Sequence, residues 1–184
     1  MSQPEIGVIG LGNMGAGIAK NFAAAGHTTA VWDISEDART ALATHDNIVV
    51  ATPGEMAAAG AMMVYVVPAT PEIEASFEGP DGVLAQAAPG TVVYDLTTSF
   101  PEDTKKLAAR ASEAGIAYLD AAMSGGATGA DAGTLTLMIG GDEAVFEACR
   151  ARLGAIADNM YFLGEVGAGH AMKLIHNMVT HSIF

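Results

Sequence analysis

One cysteine, Cys149, is all the thiol in 184 residues, so no intramolecular disulfide can form and the chain suits a reducing compartment. Basic residues are also scarce: 8 Lys and Arg stand against 21 Asp and Glu, a net charge of −13. That balance argues against nucleic acid and anionic membrane as partners, because both need a cationic face. Long apolar runs are missing too. The longest, AAAGAMMVYVV at 57–67, is too short to span a bilayer. The opening MSQPEIGVIG has no basic segment, and glycines soon break its apolar residues, so it does not read as a signal peptide. No repeat or low-complexity tract is visible. The expectation is a cytoplasmic α/β protein, whose 51% hydrophobic residues supply ample core.

Apolar, β-branched runs alternate with helical patterns along the chain. Strands are predicted at Ile6–Ile9, Thr28–Trp32, Ile48–Val50, Met62–Val67, Thr91–Asp95, Ile116–Ala121, Leu135–Ile139 and Met160–Leu163. Helices are predicted at Met14–Ala25, Glu36–Ala43 and Glu143–Leu153, with others opening after Thr52-Pro53-Gly54-Glu55 and Ser99-Phe100-Pro101-Glu102. Both of those tetrapeptides carry a hydroxyl cap, a proline and an acid at capping-box spacing. Continuous apolar strands between helices predict a Rossmann-type, doubly wound, mainly parallel sheet covered on both faces.

Residues 8–17, VIGLGNMGAG, hold Gly10-x-Gly12-x-x-Gly15 between a strand and a helix. Gly10 permits a tight turn, Gly12 lets the backbone approach a pyrophosphate, and Gly15 lets helix and strand pack closely. The helix start adds free N–H groups and a positive dipole end. Leu11, Asn13 and Met14 complete this candidate cofactor loop. The second strand ends at Asp33, 18 residues past Gly15, where an acid would hold ribose hydroxyls and repel a 2′-phosphate. NAD is therefore favoured; Arg39, close by in sequence, keeps NADP open. A plain strand end or helix cap is the alternative reading of Asp33.

Glycines also punctuate DAAMSGGATGADAGTLTLMIGG at 120–141. Ser124-Gly125-Gly126 suits an anion-binding nest for a carboxylate, or else a flexible turn. Asp120 could be a cap. Thr98 follows a strand end, where ligands of doubly wound sheets collect, while Ser99 reads as a helix cap. A last helix is predicted from His170. At about 100° per residue, Ala171, Met172, Leu174, Ile175, Met178 and Val179 share an apolar arc. Lys173, Asn177 and Thr180 lie opposite, flanked by His170 and His176. Lys173 and Asn177 are neighbours at i, i+4. On its own such a pair is usually solvated and inert. The histidines stand six and five residues apart, at 170, 176 and 181, which does not match a helical metal pair.

Taken in order, GLGNMGAGIAKNF, DLTTSFP, the 120–141 stretch and GAGHAMKLIHNM resemble the β-hydroxyacid dehydrogenase family, which includes 3-hydroxyisobutyrate dehydrogenases and tartronate semialdehyde reductases. The resemblance spans essentially the whole chain. It implies that Lys173 matches the family's lysine catalyst and Asn177 its nearby asparagine. Ser124, Gly125 and Gly126 match the substrate-carboxylate loop. Thr98 matches the threonine at the nicotinamide end, and Pro68, after Val67, the strand-end proline near the cofactor.

By that resemblance a small 3-hydroxy acid, or its semialdehyde, would exchange a hydride with NAD or NADP. Residues 1–164 would form the dinucleotide-binding domain, and 165–184 the start of an interdomain helix. The family's all-helical C-terminal domain would lie beyond, and apolar residues of that helix, including Leu174, Ile175 and Met178, would be covered in a homo-oligomer. Ala121-Ala122-Met123 departs from the family's usual Ala-Pro-Val. An imine reductase, usually bearing aspartate or tyrosine at the lysine position, and a non-catalytic NAD-binding module are the competing readings. A 6-phosphogluconate dehydrogenase would need a basic phosphate site, which is not visible.

Overall fold

A computed structural model describes residues 3–182. Strand and helix alternate as β1 (Ile6–Ile9), α1 (Gly15–Ala24), β2 (Thr29–Trp32), α2 (Glu36–Leu42), β3 (Ile48–Val50), α3 (Pro53–Ala58), β4 (Met62–Tyr65), α4 (Thr70–Phe77) and α5 (Val83–Gln86). They continue as β5 (Val92–Asp95), α6 (Pro101–Glu113), β6 (Ala117–Ser124), α7 (Gly126–Ala132), β7 (Leu135–Gly140), α8 (Glu143–Leu153), β8 (Ala157–Phe162) and α9 (Ala168–Ser182). The strands form one sheet of order β3-β2-β1-β4-β5-β6-β7-β8. All neighbours are parallel except β6 and β7, which pair antiparallel with Ser124 opposite Thr136. This is the doubly wound, mainly parallel sheet that the sequence predicts.

The continuous apolar strands follow from burial on two sides. In β4, Met62 and Val64 enter the core layer that holds Phe22, Leu119 and Phe146. Met63 and Tyr65, pointing the other way, enter the layer of Met56, Phe77 and Leu107. Side chains alternate across a strand, so a strand covered on both faces must be apolar at every position.

Thr52 opens α3 with both halves of a capping box: its hydroxyl accepts from the Glu55 N–H at 3.3 Å, and Glu55 accepts from the Thr52 N–H at 2.7 Å. Thr52→Ala should cost about 1 kcal/mol of stability in urea unfolding, with an unchanged m-value.

The second tetrapeptide behaves differently. Ser99 does not cap α6. Pro101 fixes the first helical position, which makes Phe100 the N-cap and leaves Ser99 one residue too early. Its hydroxyl instead bonds Thr97 and Thr70, each at 2.9 Å.

Three helices, α4, α5 and α7, were not legible in the sequence. Helix α7, GATGADA, has almost no apolar face. It is held by tertiary contacts: Asn21 of α1 donates to the Ala130 and Asp131 carbonyls at 2.7 and 3.3 Å. Strand ends also move. β4 stops at Tyr65 rather than Val67, β6 reaches Ser124, and β8 starts at Ala157 rather than Met160. Among the described residues, no helix is long and apolar enough to cross a membrane.

Helix α9 turns its polar side inward. Lys173, Asn177 and Thr180 are half-buried, and His170 is fully buried. Met172, Ile175, Met178 and Val179 are exposed, whereas Leu174, expected among the exposed residues, is half-buried.

Candidate functional site

Beyond the C-terminal ends of β1, β2, β4, β5 and β6 lies a cleft of about 1040 Å³. Ligands of doubly wound sheets collect in this place. One wall is the glycine loop. Gly10 has φ +94°, and a Cβ there would stand 2.3 Å from the Val66 carbonyl oxygen. A Cβ at Gly15 would lie 1.8 Å from the Gly10 carbonyl oxygen. At Gly12 a Cβ would meet nothing within 4 Å, because this glycine faces the open cleft. The first turn of α1 has no side-chain cap and no acid; the Ala16 N–H donates to the Gly12 carbonyl at 3.2 Å, and the positive dipole end is open to an anion.

Asp33, at the end of β2, lines the cleft and ties the loop down. One carboxylate oxygen accepts from the Leu11 N–H at 2.7 Å, the other from the Ser35 N–H at 2.8 Å. The second strand end and the glycine loop are thereby fixed to each other. Arg39 donates to the Asp33 backbone carbonyl and lies 4.5 Å over the Trp32 ring. Its guanidinium is engaged by backbone and indole.

Val67 and Pro68 line the cleft beyond β4, and Thr98 beyond β5. Thr98 stands exposed because the turn under it is anchored. The Thr97 N–H and hydroxyl both donate to the buried Asp95, whose other oxygen accepts from Tyr118 at 2.7 Å. Burial, and then the nearby Asp95 carboxylate, push the Tyr118 phenol well above its ordinary value, so it remains a donor.

The far wall is built from Met123, Ser124, Gly125 and Gly126 at the end of β6, with Lys173 of α9. Gly125 and Gly126 have φ of +126° and +61°, left-handed values that turn the backbone sharply after Ser124. Lys173 is half-buried and makes no hydrogen bond or ion pair with any described residue. Desolvation lowers its pKa below the ordinary lysine value.

Most residues singled out in the sequence thus share one cleft. Three do not line it. The Leu11 side chain is buried, Gly15 sits beneath the loop, and Asn177 lies half-buried a turn beyond Lys173. Met123 lines the wall, so its departure from the usual pattern reaches the cleft itself. Sequence reasoning missed Trp32 and Ile34, which line the cleft on either side of Asp33; their adjacency to it was the available signal. It also left Asp120 as an unspecified cap. This buried carboxylate caps α9, accepting from the Gly167 and His170 N–H groups at 2.7 and 2.8 Å. Among the described residues, no three His, Cys, Asp or Glu side chains group as metal ligands would.

The cleft fits a dinucleotide: an open glycine where a phosphate would approach, an uncapped helix start, and an acid at the second strand end. Residues 5–164 match the family described as the NAD binding domain of 6-phosphogluconate dehydrogenase. The chain is 38% identical over 175 residues to 2-(hydroxymethyl)glutarate dehydrogenase of Eubacterium barkeri, covering 95% of this chain and 58% of that protein. It is 33% identical over 178 residues to human mitochondrial 3-hydroxyisobutyrate dehydrogenase, covering 97% and 53%. A solved Mycobacterium tuberculosis 3-hydroxyisobutyrate dehydrogenase with L-serine superposes with a TM-score of 0.88 at 33% identity, covering 97% of this chain and 60% of that one. The chain spans a little over half the length of these relatives.

Proposed function

This chain belongs to the β-hydroxyacid dehydrogenase family, and from that premise we propose that it carries the cofactor half of an NAD-dependent oxidoreductase acting on small 3-hydroxy acids. The observation that carries the reading is Lys173: a half-buried, unpaired amine in the same cleft as an open dinucleotide loop. In this reading Gly10, Leu11, Gly12, Asn13, Met14, Gly15, Asp33, Val67, Pro68 and Thr98 hold the cofactor. Leu11 and Gly15 do so through the backbone of the loop. Ser124, Gly125 and Gly126 receive the substrate carboxylate. Asn177 supports Lys173 from the next turn.

Bound NAD supplies the hydride acceptor, and its reduced form the donor in the reverse direction. Lys173, as free amine, takes the hydroxyl proton during oxidation. In reduction its ammonium returns that proton and stabilises the negative charge developing on oxygen. The lowered pKa serves this exchange, because it keeps more amine available near neutrality. The relatives named above act, by their names, on 3-hydroxyisobutyrate and 2-(hydroxymethyl)glutarate, and these two, with L-serine, are the first substrates to try. Residues 1–164 act as the dinucleotide-binding domain and 165–184 as the start of an interdomain helix. The exposed apolar residues of α9 support that division and a homo-oligomer. A cytoplasmic location fits the acidic charge and the single buried cysteine.

Trp32, the only tryptophan, lines the cleft and reports binding directly. NAD should quench its fluorescence, and the three hydroxy acids should then reduce NAD, followed by nicotinamide absorbance. Binding without turnover on any of them in the full-length protein, or turnover on cyclic imines instead, overturns the substrate assignment.

Asp33 should set the choice of cofactor. Asp33→Asn keeps a side-chain oxygen for the Leu11 N–H but removes the charge that repels a 2′-phosphate. The preference for NAD over NADP should fall about 10-fold, the scale of one charged hydrogen bond, in parallel titrations of Trp32 fluorescence.

A further inference from the structure

Lys173 has no partner of its own among the described residues, so its place depends on how α9 is seated. The seat lies in the first turn. Asp120 holds the Gly167 and His170 N–H groups, and Gly169 lets the helix meet the sheet: a Cβ there would stand 2.2 Å from the Met138 carbonyl oxygen. The His170 imidazole is fully buried beside them. Its Nδ1 lies 2.7 Å from the Thr104 hydroxyl of α6, and that hydroxyl donates its own proton to the Phe100 carbonyl, so Nδ1 is the donor. Among the described residues Nε2 has no hydrogen-bond partner; it lies 4.0 Å from the Asp95 carboxylate of β5. The same Asp95 anchors the Thr97 turn beneath Thr98. One turn beyond, the outward side of α9 is exposed at Met172, Ile175 and Val179.

We infer that His170 is a positioning residue for Lys173: wedged between Thr104 and Asp95, its imidazole sets the rotation of α9 about its axis and so the place of the lysine in the cleft. Lys173 follows His170 by three residues, so a small rotation at the seat swings the amine across the cleft mouth. Asp95 thereby borders both walls: it anchors the Thr97–Thr98 turn by hydrogen bonds and meets α9 by contact with the His170 ring. The groups facing His170 are Thr104 from α6, Asp95 from β5, with Tyr118 on its far oxygen, and Asp120 from β6. The carboxylates lining the cleft, Asp33, Glu72, Glu78 and Asp81, form no ion pair with Lys173.

The inference rests on Lys173 as the acid/base for its functional meaning, but its first test needs no turnover. The chain has four lysines, Lys20, Lys105, Lys106 and Lys173, which ¹³C reductive methylation makes separately visible by NMR. In the wild type, the Lys173 signal should titrate below the ordinary lysine value. In His170→Ala and Thr104→Val it should move toward that value, while NAD quenching of Trp32 changes by less than about 2-fold; His170→Gln, which can still donate to Thr104, should restore most of the wild-type behaviour. An unmoved Lys173 titration in both variants overturns the inference, and so does a parallel loss of NAD binding, which would mean general loosening. Thr104→Val decides alone if His170→Ala does not fold. In the full-length enzyme, His170→Ala should lower kcat on the order of 10- to 100-fold at constant hydroxy-acid KM. If Lys173→Ala keeps full rate, the acid/base reading fails while the NMR result still stands or falls by itself.

Discussion

Lys173→Ala should lower turnover of the full-length enzyme by on the order of 10²–10⁴-fold, the contribution of a positioned general acid/base. NAD affinity should barely change, because the glycine loop and Asp33 that would hold the cofactor are built from β1, α1 and β2, without α9. The pH profile gives a second signature. Oxidation needs the free amine, so its rate should rise with pH through a midpoint below the ordinary lysine value, since burial lowers the Lys173 pKa. Reduction needs the ammonium and should fall through the same midpoint. Steady-state kinetics in both directions, paired with Trp32 titrations, would check all three statements. An undiminished rate in Lys173→Ala removes the lysine from the chemistry.

Gly15→Ala should be the most damaging change in the loop. Its Cβ would stand 1.8 Å from the Gly10 carbonyl oxygen, and both are backbone, with no flexible side chain to yield. Overpacking of this kind costs about 1–3 kcal/mol, and the loop can relieve it only by leaving the shape that α1 and Val66 impose. Stability and NAD binding should therefore drop together, with affinity down by up to about 100-fold if the loop must be rebuilt at roughly 3 kcal/mol. Gly12→Ala provides the contrast. Nothing lies within 4 Å of its Cβ, so thermal stability should hold while the methyl obstructs the cleft. Thermal melts and calorimetry on both variants separate the two roles. Equal stability losses would mean that Gly12 also serves the fold.

The features legible in the sequence were those decided locally. The two-sided burial of β4 appears as unbroken MMVY, and the Thr52 capping box is complete within four residues. The glycine loop could be read because its three glycines stand at fixed spacing between a strand and a helix, although the contact that constrains Gly10, the Val66 carbonyl, lies far off in the chain. Ser99 misled because a cap motif is only a spacing, and Pro101 moved the helix start by one residue. Helix α7 was invisible because its stability comes from Asn21, more than 100 residues earlier in the chain. The seat of Lys173 was hidden for the same reason. Asp120 and His170 are 50 residues apart, and only the finished sheet puts one under the other. Periodicity divided α9 correctly into polar and apolar sides, but it could not say that the polar side would face the protein.

The antiparallel β6–β7 pair has a consequence for chain traffic. Every earlier strand delivers its end to the cleft rim. After this inversion, β7 and β8 run the other way, and the chain leaves β8 near the level of Asp120, which the register places beside Asp95, Tyr65 and Ile9 at the ends of β5, β4 and β1. Helix α9 then runs beside the last residues of β6 and the facing part of β7, with Gly169 against the Met138 carbonyl, Met172 and His176 in a hollow with Thr136 and Ser124, and Lys173 in the cleft. One reversal therefore brings α9 in alongside the end of β6, Ala121–Ser124, that projects past the other strands.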